Sequence, residues 1–378
     1  MTLPSVPYGR QSIDQSDVEA VVAAMASDWL TTGPRVGQFE ADIAAVAGAP
    51  AVAVSNGTTA LHAAYAAARV GPGDEVVTTP MTFVATASCA AMLGATVVFA
   101  DVEDDTANLD PAAVETLVTP RTKAITAVDY AGHPAEYDAL RKIAERVDAV
   151  LIADAAHAIG SSYHGRPVGT LADLTTLSFF PTKNLTTAEG GAVVSTRPDL
   201  LERARTFRTV GLVRDPERLR YPDEGGWHQE VHEFGLNYRL PDLLCALGSS
   251  QLRRLAEFKA RRAYLTARYD VLLADVPGLR LPVRREGADP MRHLYPVRVL
   301  DGRRREVYDR MRAAGILVQV NYIPVYWHPV FEDLGYRRGM CPVAEAFYAE
   351  ELSLPLFVDL GDDDQDRVVE TLRDIVGS

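Results

Sequence analysis

Ser178-Phe179-Phe180-Pro181-Thr182-Lys183-Asn184, followed by Glu189-Gly190-Gly191-Ala192-Val193-Val194, decides how this chain is read. An apolar run from Leu174 to Phe180 stops at a proline, a threonine and a lysine; a second apolar run resumes behind a glycine pair. Short apolar runs bounded in this way predict strand, exposed turn, strand, with Lys183 at the tip of the turn. Lys123, Lys142, Lys183 and Lys259 are the only lysines in a chain that otherwise draws its positive charge from arginine. Arginine keeps its proton in proteins, whereas a lysine amine can lose it and attack a carbonyl carbon. A turn lysine is ordinarily a solvated charge, but Lys183 sits among Ser, Phe, Pro and Thr rather than among other charges.

Outward from this stretch, strand and helix patterns alternate. Residues 51–54, 75–79, 96–100, 124–129 and 149–153 read as strands, and residues 60–70, 83–93 and 136–147 as helices. Such alternation predicts an α/β fold with a mostly parallel central sheet covered on both faces. Ligands in such sheets gather at the carboxyl ends of the strands, where Gly57-Thr58, Asp154 and residues 178–183 fall. Helices over 16–27 and 36–46 form an N-terminal arm, and residues 197–210 are helical. Residues 211–229 are rich in Pro, Gly, Asp and Arg and read as an exposed loop; a long helix over 242–269 follows. Residues 277–290 read as linker-like. The tail reads as strand 294–299, helix 306–314, strand 317–320, an aromatic loop 322–328 and two helices. The expected division is a large domain over 1–250, with the arm, and a smaller C-terminal α+β domain over 251–378.

The bulk numbers exclude several classes. Hydrophobic content of 47% and charged content of 24% are those of a globular protein. A net charge of −13 argues against nucleic-acid binding, which needs a basic surface. No run is long and apolar enough to span a membrane, and residues 1–10 lack the order of a signal peptide. Cys89, Cys245 and Cys341 are odd in number and far apart, as expected of reduced cysteines in a cytoplasmic protein; no pair has metal-ligand spacing.

Several pieces point to one chemistry. Strand 51–54 runs into Ser55-Asn56-Gly57-Thr58-Thr59 and then a helix; unpaired first-turn amides and the helix dipole can hold a phosphate there. Plain capping by Asn and Thr is the alternative. Phe83 offers an aromatic face or belongs to the core. Asp154 ends a buried strand as a ligand or a cap, and His157 and Ser178 are site groups or ordinary polar residues. Together these are the parts that hold pyridoxal 5′-phosphate: a phosphate grip, a ring stack, a carboxylate for the pyridine nitrogen and a lysine for the aldehyde. The carboxylate keeps the ring nitrogen protonated, and the lysine, once displaced from the aldehyde, can move a proton.

The sequence resembles the DegT/DnrJ/EryC1/StrS family of sugar aminotransferases, which have the aspartate-aminotransferase-like fold (fold type I). The blocks that carry the likeness are Pro7-Tyr8-Gly9-Arg10-Gln11, residues 55–62, residues 82–87 and Asp154-Ala155-Ala156-His157. They continue with Ser178-Phe179, Lys183, Glu189-Gly190-Gly191, Gly235-Leu236-Asn237-Tyr238-Arg239 and residues 352–356, and so cover nearly the whole chain. The resemblance implies that Lys183 holds the cofactor as a Schiff base and that Asp154 pairs with its ring nitrogen. It gives Gly57, Thr58 and Ser178 to the phosphate and Phe83 to the ring. Asn237 would reach the phosphate of a neighbouring subunit, so that a homodimer completes the site. His157 stands where the family usually has Gln, a contact to the ring's phenolic oxygen that a histidine can also make.

Within the family the likeness is to enzymes that aminate C4 of UDP-4-keto-6-deoxy-N-acetylhexosamines in the pseudaminic acid pathway. It is carried by residues 129–135, Trp227 and residues 320–326, with His133 where that branch usually has Gln. Substrates would be a nucleotide-linked keto-sugar and an amino-acid donor, L-glutamate. Thr31, Thr32, Tyr322 and His328 are candidate substrate-wall residues by loop position. Aminotransfer to a dTDP-keto-sugar or a keto-cyclitol is the alternative. A sugar dehydratase of this family would have histidine in place of Lys183, desulfuration would need a mobile cysteine, and a regulator would carry an added DNA-binding domain. No G-x-G-x-x-G follows the first strand, which excludes a nicotinamide dehydrogenase.

Overall fold

Seven strands meet in one sheet, in a computed structural model that describes residues 4–377. They are β1 (Ala51–Val54), β2 (Glu75–Thr78), β3 (Thr96–Phe99), β4 (Thr122–Val128), β5 (Val150–Asp154), β6 (Leu174–Ser178) and β7 (Gly191–Val194). Their order is β1-β7-β6-β5-β4-β2-β3. All run the same way except β7, which is antiparallel to both neighbours. The expected mostly parallel sheet is therefore present, with one reversed strand that begins at the glycine pair.

The strands read as continuous apolar runs because both faces are covered. Successive side chains point to opposite faces, so Ala51 and Ala53 join one buried cluster and Val52 and Val54 the other. Helices α1 (Gln15–Met25), α2 (Pro34–Ala47), α3 (Gly57–Ala67) and α4 (Ala85–Met92) lie in the N-terminal part. Helix α3 starts cleanly: Asn56 accepts from Thr59 N at 2.9 Å, and Thr59 Oγ1 accepts from Asn56 N at 3.0 Å, a reciprocal cap.

The C-terminal region is smaller and antiparallel. Strands β8 (Leu279–Arg280), β9 (Tyr295–Val299) and β10 (Glu351–Leu354) form its sheet in that order, over a third apolar cluster.

Several expectations need correction. The long helix over 242–269 is two helices, Asp242–Arg253 and Leu255–Leu273, broken at Arg254, whose guanidinium pairs with Asp14 and Asp17. The expected boundary at 250/251 falls inside the first of them. Residues 317–320 are not a strand of that length: Ile316–Leu317 pairs only with Val6–Pro7. Part of the linker-like stretch is β8. The helix expected from Phe83 starts at Ala85, which leaves Phe83 in the approach. Among the described residues no helix is long and apolar enough to cross a membrane, and no group of His, Cys, Asp or Glu could hold a metal ion.

Candidate active site

A cavity of about 540 Å³ opens at the carboxyl edge of the sheet. Gly57, Thr58, Asp154, Ser178 and Lys183 all line it, with Phe83, His157 and Tyr322. They arrive from several different connections, so the sheet edge brings together residues far apart in sequence.

Lys183 is the main correction to the opening reading. Residues 179–190 do not form a turn projecting into solvent. Phe179 N donates to Gly190 O at 2.8 Å, Phe179 packs edge-on against Phe39, and Lys183 N donates to Phe180 O at 2.9 Å. Asn184 Nδ2 donates to the carbonyls of His157 and Met291, each at 3.1 Å. These contacts fold the connection back over the cavity, so Lys183 is half-buried and lines it. Burial pushes its ammonium down to about 8, although Asp154 opposes the shift. A neutral amine is thus accessible near physiological pH, which a solvated lysine does not offer.

Asp154 ends β5 and is buried. Burial raises its carboxyl above the ordinary value, while Thr86, the Ala156 amide and Lys183 pull it back. Thr86 Oγ1 donates to Oδ2 at 2.6 Å, and Ala156 N donates to Oδ1 at 3.2 Å. Because a carboxylate only accepts, the Thr86 hydroxyl spends its proton there. The 2.7 Å contact between Thr82 Oγ1 and Thr86 Oγ1 is then donated by Thr82. A chain of two hydroxyls, Thr82 to Thr86, thereby favours the ionised carboxylate against the burial that raises it.

Gly57 opens α3 against the end of β6. A Cβ there would lie 2.8 Å from Ser178 Cβ and 3.0 Å from its Oγ, so only glycine allows the helix start to approach this closely. Asn56 caps the Thr59 amide, which leaves the Gly57 and Thr58 amides, beside the Ser178 hydroxyl, without a helical acceptor. That is an anion cradle at the positive end of a helix dipole. Phe83 is 58% exposed, which rules out a core role; its ring faces the cavity edge-on to Tyr322 at 6.4 Å.

His157 is buried, and burial together with Lys183 holds its imidazole well below the usual range, hence neutral. Its Nε2 shares a hydrogen bond with Tyr322 Oη at 3.1 Å, its ring lies 4.4 Å from that of His293, and its Nδ1 has no partner. A phosphate cradle, a buried carboxylate held by two donors, a lysine amine whose proton burial loosens and an aromatic face thus meet in one space, and they fit pyridoxal 5′-phosphate.

Other expected residues lie elsewhere. Asn237, Thr31 and Thr32 are exposed and His328 begins helix Pro329–Asp333; none of the four lines the cavity. Conversely, Tyr8, Thr86, His293 and Asn321 line it without having been singled out. Tyr8, Thr86 and Asn321 lay inside quoted blocks, and Thr86 was detectable as a hydroxyl just inside the helix expected from Phe83.

The comparisons agree with this geometry. The model of the "DegT/DnrJ/EryC1/StrS aminotransferase family" matches residues 11–373. The spore coat polysaccharide biosynthesis protein SpsC of Bacillus subtilis is 38% identical, over 98% of this chain and 97% of that one. The UDP-4-amino-4,6-dideoxy-N-acetyl-beta-L-altrosamine transaminase of Campylobacter jejuni is 36% identical, over 98% and 97%. The erythromycin biosynthesis sensory transduction protein EryC1 of Saccharopolyspora erythraea is 38% identical, over 96% and 95%. Among solved structures, the PLP form of the putative sugar aminotransferase Spr1654 from Streptococcus pneumoniae superposes with a TM-score of 0.92. Its identity is 29%, over 99% of each chain. The chain belongs to the DegT/DnrJ/EryC1/StrS aminotransferase family and is a pyridoxal 5′-phosphate-dependent sugar aminotransferase of fold type I.

Proposed function

We propose that this enzyme moves an amino group from L-glutamate to C4 of a UDP-4-keto-6-deoxy-N-acetylhexosamine. The observation that carries the reading is Lys183 and Asp154 facing one cavity beside the α3 cradle, in a chain alignable end to end with the Campylobacter transaminase. Relatives of similar identity have other printed roles, and EryC1, an erythromycin biosynthesis protein at 38%, goes with the second reading, amination of a keto-sugar in an antibiotic pathway.

Pyridoxal 5′-phosphate supplies an aldehyde that takes up the donor's amine and a ring that accepts the electrons freed when a carbon–hydrogen bond breaks. The chain's own residues do the rest. Lys183 would hold the aldehyde at rest; once released, its Nζ is unprotonated above about pH 8 and accepts the proton from the donor's α-carbon. Asp154, fixed by Thr86 and Ala156, supplies negative charge to the ring nitrogen. The Gly57 and Thr58 amides and Ser178 Oγ would grip the phosphate, Phe83 would stack on the ring, and His157 would contact its phenolic oxygen. Tyr322 forms part of the sugar wall.

In this reading the working unit is a cytoplasmic homodimer. Trp227 is 84% and Phe234 96% exposed, on the two sides of the loop that leads to Asn237. A second copy would cover these rings and carry Asn237 to its neighbour's phosphate. The reading is tested with ¹⁵N-labelled L-glutamate and a panel of UDP- and dTDP-linked 4-keto-6-deoxy sugars, with keto-cyclitols as controls. Mass spectrometry should show the label in a 4-amino-UDP-sugar; label appearing only in a dTDP-sugar or a cyclitol would replace the proposed acceptor.

A further inference from the structure

Asn321 lines the cavity and is held on three sides. Its amide N–H donates to Glu351 Oε2 at 2.7 Å, its carbonyl accepts from Tyr130 Oη at 2.5 Å, and its Nδ2 donates to Ser353 Oγ at 3.0 Å. Ser353 Oγ in turn donates to Glu351 Oε1 at 2.6 Å. Glu351 and Ser353 are fully buried on β10 and Asn321 is 5% exposed, so this is a built arrangement and not a surface coincidence.

The order of donors fixes which way the Asn321 amide points. Above the value of about 8 to which burial pushes Glu351, its side chain is a carboxylate that offers no proton, so Ser353 must give its own to Glu351. Ser353 Oγ is then left with lone pairs only, and it can accept from the NH₂ end of Asn321 but cannot donate to the oxygen end. Asn321 therefore turns Nδ2 inward and leaves Oδ1 free. Oδ1 has no partner among the described residues and is not among their sealed, unpartnered polar atoms, so it is the polar atom that Asn321 offers to the cavity.

We propose that Asn321 Oδ1 is a fixed acceptor that reads an O–H or N–H group of the keto-sugar, and that Glu351 and Ser353 are positioning residues that hold it in that sense. This rests on the sugar reading above. A carbonyl oxygen repels carboxylates, and away from its reacting amine glutamate carries nothing else. A sugar ring carries hydroxyls and, in an N-acetyl sugar, an amide N–H. Asn321 is thereby assigned to the second half-reaction and not to the first.

The test separates the two half-reactions in the holoenzyme, at a pH above the value of about 8 to which burial pushes Glu351, so that its carboxyl is ionised. Loss of visible absorbance on adding L-glutamate reports the first; amination of the UDP- or dTDP-linked 4-keto-6-deoxy sugar that the wild type uses reports the second. Asn321→Leu should lower kcat/KM for the sugar roughly 5- to 20-fold, the range for one lost hydrogen bond and an unmatched polar group. The glutamate-driven change should stay within about 2-fold of wild type. Ser353→Ala, which touches no substrate, should give a smaller loss in the same direction, mainly in KM for the sugar. Equal losses in both half-reactions, or an unchanged sugar kcat/KM in both variants, overturn the inference. A wild type that responds to glutamate but aminates neither sugar overturns the sugar reading and this inference with it.

Discussion

Replacing Thr86 with valine should disable the enzyme without unfolding it. Valine matches threonine in shape, so packing at this buried position is kept, and the change removes one hydroxyl. That hydroxyl is the shorter of the two donors that hold the Asp154 carboxylate, at 2.6 Å against 3.2 Å from the Ala156 amide. Hydrogen bonds to a charged group contribute about 1.5–3 kcal/mol. At 1.4 kcal/mol per factor of ten, the loss corresponds to roughly 10- to 100-fold in whatever depends on an ionised Asp154. The Thr82 hydroxyl, 2.7 Å away, also loses its acceptor, which places the effect toward the upper end. Both half-reactions should slow by this factor, and pyridoxal 5′-phosphate should bind more weakly in a titration followed by visible absorbance. Thr86→Ser, which keeps the hydroxyl, should recover most of the loss. The melting temperature of the apoprotein separates this from misfolding. A Thr86→Val enzyme with wild-type rates and cofactor affinity would refute the claim that the hydroxyl chain tunes Asp154.

Three further outcomes follow from the geometry. Lys183→Ala should abolish transamination and the visible band of the bound cofactor while leaving the far-ultraviolet circular dichroism unchanged; a variant that keeps the native band would remove Lys183 from its role. Burial lowers Lys183 to about 8 from 10.5, so its charged form is disfavoured in the folded apoprotein. Its destabilisation is full below about pH 8 and fades as pH rises toward 10.5. Lys183→Met should therefore melt higher than wild type at pH 7, with the gap closing between pH 8 and 10; a gap independent of pH would contradict this. Mixing inactive Lys183→Ala and Asn237→Ala subunits should restore up to about a quarter of wild-type activity, since about half the dimers are hybrids with one intact site each. No recovery on subunit exchange would count against a shared site.

The sheet and its ligand edge were legible because buried parallel strands are written as short apolar runs between turn residues, and residues 51–54, 150–154 and 191–194 follow that form. Lys183 stood out by scarcity and Asp154 by its place at a strand end. What stayed hidden is set by contacts between distant parts. Nothing in residues 250–256 breaks a helix; the break comes with Arg254, drawn onto Asp14 and Asp17. Lys183 was placed at a solvent tip because the Asn184 bonds to His157 and Met291 that fold its loop back join segments well apart in sequence. Nothing in the sequence marks Glu351, and only the fold sets it against Asn321.

The central claim is that one cavity runs two half-reactions through Lys183 and Asp154. It is tested most directly by following the visible spectrum of the holoenzyme through both additions. L-glutamate alone should bleach the visible band in a single turnover, and a UDP-4-keto-6-deoxy-N-acetylhexosamine added next should restore it with one equivalent of amino-sugar formed. A band that glutamate leaves unchanged, or that returns without an amino-sugar product, would contradict the account.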